Sequence, residues 1–248
     1  MKLNLEDFKK KIGDKWFSYL EEFFSSEKAY EIYQTLKLQS KSEIITPDSK
    51  DTWKFLERIK PNSVKVIILA MDSYPGRYPN KVLHATGIPL DCSNSPDGKL
   101  QPSLIEFWNG IGNEYEEEIT KTHDLQFLLD QGVFFGNRAL TCKLFKTGSH
   151  MGMWDYFWEV FFQNFVSQKP DIPIVFLGKD AFHLKKYVSF NRMFELSHPS
   201  AAARSGVPWD TKGTFSNINK ILKSLNGESN VILWDYKKYN QLLEETPF

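Results

Sequence analysis

Four residues could carry acid–base or recognition chemistry at places where an apolar chain has no structural need of them: Asp72, Tyr74, Asn137 and His198. Each stands in or just beyond a run that reads as a buried strand. Val64–Met71 is β-branched and aliphatic, and it stops at Asp72-Ser73-Tyr74-Pro75-Gly76, an acid leading into a turn signal. Gly132–Leu140 holds Asn137 inside a Phe-Phe-Gly run, where a buried amide left unpaired costs about 1–3 kcal/mol and so needs partners. Met193–Ser197 ends at His198-Pro199-Ser200, and Pro173–Leu177 ends at Gly178-Lys179. Ligands of open α/β sheets sit beyond the carboxyl ends of the strands. One acid, one amide and one imidazole on that rim form a candidate site.

Other chemistries lack their signatures. There is no Gly-x-Ser-x-Gly elbow, and Gly148-Ser149-His150 does not follow a strand as a serine nucleophile would. The histidines, at 84, 123, 150, 183 and 198, show no HxH or HxxxH spacing, and the two cysteines, Cys92 and Cys142, form no CxxC pair. Neither a Walker A nor a dinucleotide fingerprint occurs. The reaction is expected to use side chains and water, with no cofactor and no metal. Lys+Arg and Asp+Glu are both 31, so binding to a polyanion would need a locally basic face. Cysteine usage and the lack of an apolar N-terminal leader or membrane-length run point to an intracellular protein.

These residues must be positioned by alternating helices and strands. Helical spacing covers 3–38, with Trp16, Tyr19, Leu20, Phe23 and Phe24 on one face, and a short helix is expected over Asp51–Ile59. Pro102-Ser103 opens another helix, Met153–Val166 repeats aromatics at helical spacing, and Phe215–Leu225 is a last amphipathic helix before an extended tail at Val231–Trp234. Glu114–Glu118 reads as solvated surface. The long irregular segment from Asp72 to Pro102 is of a kind seldom kept without use. The expected fold is α/β, a single domain over 1–248 with a central four-stranded parallel sheet flanked by helices on both faces.

From about residue 15 onward the ordered motifs resemble the family 1 uracil-DNA glycosylases. That family's GQDPYH motif stands here as Ala70-Met71-Asp72-Ser73-Tyr74-Pro75, its Gly-Leu-Ala-Phe as Gly87-Ile88-Pro89-Leu90, and its Pro-Ser-Leu as Pro102-Ser103-Leu104. Its uracil-reading strand is similar to Gly132–Cys142, with the Asn at Asn137, and its Ser-His before a Trp to Ser149-His150 and Trp154. The HPS motif is His198-Pro199-Ser200, and Phe215-Ser216-x-x-Asn219 resembles the start of the last helix. Four departures stand out. The family's Gln is Met71, its His is Pro75, its stacking Phe is Leu90, and its apolar wedge falls in Ala201-Ala202-Ala203, as in the poxvirus branch.

The resemblance implies a DNA-repair enzyme that hydrolyses the N-glycosidic bond of uracil and leaves an abasic site. It gives Asp72 and His198 catalytic roles and places Met71, Tyr74, Leu90 and Asn137 around the base. Ser103, Ser149, Lys179, Ser200, Ala202 and Arg204 fall at the DNA, and Arg138, Lys143 and Lys146 would add positive charge to the rim. A base must leave the duplex to be reached. The implied partner is uracil-containing DNA, single-stranded or duplex, met by a monomer, with a proteinaceous glycosylase inhibitor or a replication protein as further partners. Two other readings fit the departures: a glycosylase-fold accessory protein with weakened catalysis, and a glycosylase for another modified pyrimidine.

Overall fold

A computed structural model describes residues 3–188 and 192–245. The helical stretch expected over 3–38 is three helices, Leu5–Ile12 (α1), Asp14–Ser25 (α2) and Glu27–Gln39 (α3). Gly13, at φ 82°, breaks the first junction. Ser26 caps α3, its Oγ accepting from the Ala29 N–H at 3.1 Å. After Ile45–Thr46 (β1), the helix expected over 51–59 is reduced to one turn, Lys54–Glu57 (α4).

The remaining elements alternate. They are Val66–Asp72 (β2), Pro102–Tyr115 (α5), Gln126–Asp130 (α6), Val133–Ala139 (β3), Cys142–Lys143 (β4) and Asp155–Asn164 (α7). Ile174–Leu177 (β5), Lys179–Phe182 (α8), Met193–Leu196 (β6), Pro199–Ser205 (α9), Thr214–Asn226 (α10) and Tyr236–Glu245 (α11) follow. The sheet runs β3-β2-β5-β6, all parallel, and β1 pairs antiparallel with β4. Ala70 lies beside Asn137, Asp72 beside Ala139, and Leu177 beside Leu196. Residues 231–234, expected as an extended tail, belong to no helix or strand and are not the tail, since they lead into α11, which the sequence reading missed.

Every residue of β3 is buried because both sheet faces are covered. Phe134 meets Trp16, Phe55 and Phe161 at 5.7, 5.6 and 5.1 Å between ring centroids. Its neighbour Phe135, on the opposite face, meets Phe107 of α5 at 6.5 Å. The aromatic stripe of α7 is core, as its spacing suggests: Phe157, Trp158 and Phe161 are fully buried. The acidic run needs one correction. Glu116, Glu117 and Glu118 are exposed, but the Glu114 carboxylate accepts from the Phe215 and Ser216 N–H groups at 3.3 and 2.5 Å. It thereby satisfies the first turn of α10, where a negative charge is favoured.

Candidate active site

The connection after β2 leads to β3 on one side, and the connection after β5 leads to β6 on the other. A crevice therefore opens between the carboxyl ends of β2 and β5, the switch point of a doubly wound sheet. A cleft of about 960 Å³ lies there. It is lined from β2 by Met71 and Asp72, from β3 by Asn137, after β5 by Lys179 and Asp180, and after β6 by His198.

Asp72 is the last residue of its strand, and its Oδ2 accepts from the Gly148 N–H at 2.6 Å. Burial pushes its pKa above the ordinary carboxylate value, the Gly148 bond opposes that rise, and the charge of Asp180 adds to it. The strand end is locked from both sides. Ser73 Oγ donates to the Leu140 carbonyl at 2.9 Å, and Thr46 Oγ1 donates to the Tyr74 carbonyl at 3.0 Å.

His198 is the N-cap of α9. Its Nδ1 accepts from the Ser200 N–H at 3.1 Å and lies 2.8 Å from Ser200 Oγ, which in turn accepts from Arg204 Nη1 at 3.2 Å. An Nδ1 that accepts from a backbone amide carries no proton, so the neutral ring holds its hydrogen on Nε2. Burial, assisted by the Arg204 charge and opposed by Asp180, pushes the imidazole down to about 4. Gly178, at φ 87°, makes the close approach possible, since a Cβ there would lie 3.1 Å from His198 Cβ.

Asn137 is 7% exposed, and its Oδ1 is buried without a hydrogen-bond partner among the described residues. Its backbone is fixed by Trp158, whose Nε1 donates to the carbonyls of Asn137 and Arg138 at 3.1 and 3.0 Å. Across the cleft, the Tyr74 hydroxyl donates to the Leu90 carbonyl at 3.2 Å and lies 2.7 Å from Ser103 Oγ. Burial raises the phenol pKa, so the ring stays neutral. Leu90 is held at φ 64° and is 5% exposed. Its neighbour Asp91, fully buried, accepts from Ser93 N–H and Oγ and from the Leu125 N–H at 3.1, 2.7 and 2.9 Å. The long 72–102 segment is thus pinned as a wall of the cleft.

Of the residues singled out in the sequence, Met71, Asp72, Tyr74, Leu90, Ser103, Asn137, Lys179, His198, Ser200 and Arg204 line this one cleft. Ser103 is 4% exposed and pairs with Tyr74. Ser149 stands outside the lining, its Oγ accepting from the Lys143 N–H at 2.7 Å. Ala202, expected at the DNA, is instead 7% exposed and part of the hydrophobic core, because its side of α9 packs on α5; Ala201 lines the cleft. Arg138 also departs from expectation. It is 8% exposed and bound by both Nε and Nη2 to the Asp155 carboxylate at 2.9 Å, so its charge is not free on the rim. Lys143 and Lys146 share Glu43 at 3.5 and 3.1 Å. Thr147, Asp180 and Lys212 line the cleft without having been found by sequence reasoning; the Asp after Gly178-Lys179 was the only available signal.

A buried relay holds the turn that reaches Asp72. Trp154 Nε1 donates to Thr141 Oγ1 at 3.0 Å, Thr141 Oγ1 lies 2.8 Å from His150 Nδ1, and His150 Nε2 lies 2.8 Å from Gln39 Oε1. His150 is therefore a positioning group for this turn. Among the described residues, no group of three or more His, Cys, Asp or Glu side chains is placed to hold a metal ion. No helix among them is long and apolar enough to cross a membrane.

No family model matches the chain. Among curated relatives, a uracil-DNA glycosylase of Mycoplasmopsis pulmonis is 30% identical over 217 residues, covering 83% of this chain and 93% of that protein. Among solved structures, the mimivirus uracil-DNA glycosylase superposes with a TM-score of 0.79 at 24% identity, over 94% of this chain and 90% of that one. A variant of mimivirus UNG in complex with UGI gives 0.80 at 24% identity, over 94% and 92%.

Proposed function

The chain belongs to the uracil-DNA glycosylase family, and we propose that the cleft between β2 and β5 hydrolyses the N-glycosidic bond of deoxyuridine in DNA, releasing uracil and leaving an abasic site. The observation that carries this reading is Asn137 Oδ1, a buried acceptor on the cleft lining that no described protein group satisfies and that is therefore open to a donor entering the cleft. Uracil offers N3–H to that acceptor and O4 to the amide NH₂, whereas cytosine presents an acceptor at N3 and a donor at N4. The Tyr74 ring, tied down by Leu90 and Ser103, would exclude a 5-methyl group and so reject thymine.

Cleavage of the glycosidic bond leaves the electron pair on the base and positive charge on the sugar. His198 Nε2–H is free to donate to uracil O2 as that negative charge grows, and its depressed pKa keeps it a neutral donor at neutral pH. Asp72 Oδ2 is occupied by Gly148, which leaves Oδ1 to orient water and to face the developing sugar cation. Lys179, Ser200, Arg204 and Lys212 supply donors and charge for the phosphates of the strand. The protein is read as one catalytic unit over its whole length, acting as a monomer inside the cell. The likeness to a UNG solved with UGI supports a proteinaceous inhibitor as a second partner.

The test is base release from oligonucleotides carrying a single uracil, cytosine or thymine. The wild type should release only uracil. Asn137→Asp, which replaces the amide donor with an acceptor, should gain release of cytosine while uracil release falls. An Asn137→Asp protein that is folded and keeps wild-type selectivity would remove Asn137 from base reading.

A further inference from the structure

The segment between β4 and α7 carries an aromatic side chain that neither the core nor the catalytic set uses. Lys146 N–H donates to the Lys143 carbonyl at 2.9 Å, which makes Leu144-Phe145 a two-residue turn. Phe145 occupies its second place at φ 61°, a left-handed conformation that bulky side chains rarely adopt. Phe145 is 67% exposed, the most open of the large apolar residues among the described residues.

The turn is fastened to the cleft at two points. Phe145 N–H donates to the carbonyl of Pro75, a cleft-lining residue, at 2.6 Å. Three residues further on, Gly148 N–H holds the Asp72 carboxylate at 2.6 Å. Phe145 is outside the cleft lining but is carried on the same turn that positions Asp72, next to the cleft-lining Pro75 and Thr147. Its surroundings are cationic. The Arg77 guanidinium lies 5.9 Å from the ring centroid, and Lys143 and Lys146 share the single carboxylate of Glu43, leaving a net positive charge.

An exposed flat ring beside one guanidinium, on a turn whose flanking lysines add positive charge, suits a nucleic-acid strand, whose bases stack and whose phosphates need counter-charges. Resting on the glycosylase reading above, we propose that Phe145 is a stacking platform for the base next to the uracil. It would hold the flanking nucleotide beside the cleft while uracil enters, a task that Ala201-Ala202-Ala203 of α9 has no side chain to perform.

The experiment compares the wild type with Phe145→Asn, a residue that tolerates the left-handed backbone, and Phe145→Tyr, which keeps the ring. kcat/KM for uracil release is measured on single strands with normal neighbours, and on strands with tetrahydrofuran residues in place of the 5′ neighbour, the 3′ neighbour or both. Phe145→Asn should lose about tenfold on normal strands, with Phe145→Tyr within about twofold of wild type. The loss should vanish once the stacking neighbour is a tetrahydrofuran, and the side on which it vanishes identifies that neighbour. Equal activity of wild type and Phe145→Asn on normal strands overturns the platform, as does a loss that persists with tetrahydrofuran on both sides. In both cases wild-type uracil release leaves the glycosylase reading standing. A wild type that releases no uracil from any strand overturns that reading and the platform with it.

Discussion

His198 Nδ1 accepts from the Ser200 amide, so the tautomer that exposes Nε2–H is set by the HPS turn itself. The imidazole, pushed down to about 4, is neutral at neutral pH, and the ionisation of Asp72 also bears on the acid limit of activity. That carboxyl is raised first by burial and further by Asp180, and it must be ionised to act. Asp180→Asn removes one raising charge, so the acid limb of the kcat/KM profile should move to lower pH; His198 also loses an upward influence and stays neutral. The Arg138 bond to Asp180 uses the backbone carbonyl and survives the substitution. A limb that stays in place or moves upward would count against Asp72 as the group that titrates. Asp72, Asn137 and His198 were legible because each interrupts or ends an apolar run. Asp180 was not, since an acid at the start of a helix is equally an ordinary helix feature, and only the fold brings it to the cleft.

Among the elements, β3 carries the closest tolerances. A Cβ on Gly136 would lie 2.3 Å from Trp158 Cη2, and that indole is fully buried while donating to the carbonyls of Asn137 and Arg138. Gly136→Ala must therefore displace a packed ring and the two bonds that fix the Asn137 backbone. It should cost about 1–3 kcal/mol in a denaturant melt, the range of overpacked cores, and reduce uracil release together with stability. Wild-type stability and rate in that variant would show that β3 has slack the distances deny. Strands β2, β3 and β5 could be read from their β-branched and aromatic runs because burial on both faces leaves such runs unbroken. Strand β6 is only partly buried, with Glu195 exposed, and was read from Met193, Phe194 and Leu196 before the His-Pro turn. Helix α11 was missed although Tyr236, Tyr239, Leu242 and Leu243 recur at helical spacing. None of its residues is buried, and its short stripe meets the rest of the protein at the surface, where the two tyrosines rest on Phe127. The breaks at Gly13 and Ser26 were legible in principle, as a glycine and a Ser-Glu cap, but the continuous aromatic face of α2 obscured them.

At the scale of the molecule, ordered motifs spread over the chain made family and fold readable, while their departures bear on substrate form. Leu90 offers no flat face to a flipped base, and α9 turns Ala202 into the core, so nothing on that helix plugs a gap in a duplex. Unpairing must then be met by the remaining contacts. Single-turnover cleavage should be fastest on single strands, slower on U·G and slowest on U·A, whose pairing is stronger. Equal rates on U·A and single strands would show that another element does the wedge's work. The most direct measurement is release of free uracil from single-stranded and U·G oligonucleotides by the wild type and by Asp72→Asn, with alkali cleavage reporting the abasic site. The cleft as described predicts release by the wild type and a loss of about 10²–10⁴ in the folded variant, the range for a positioned acid–base group. DNA binding with no base released by the wild type, or an undiminished rate in Asp72→Asn, would contradict it.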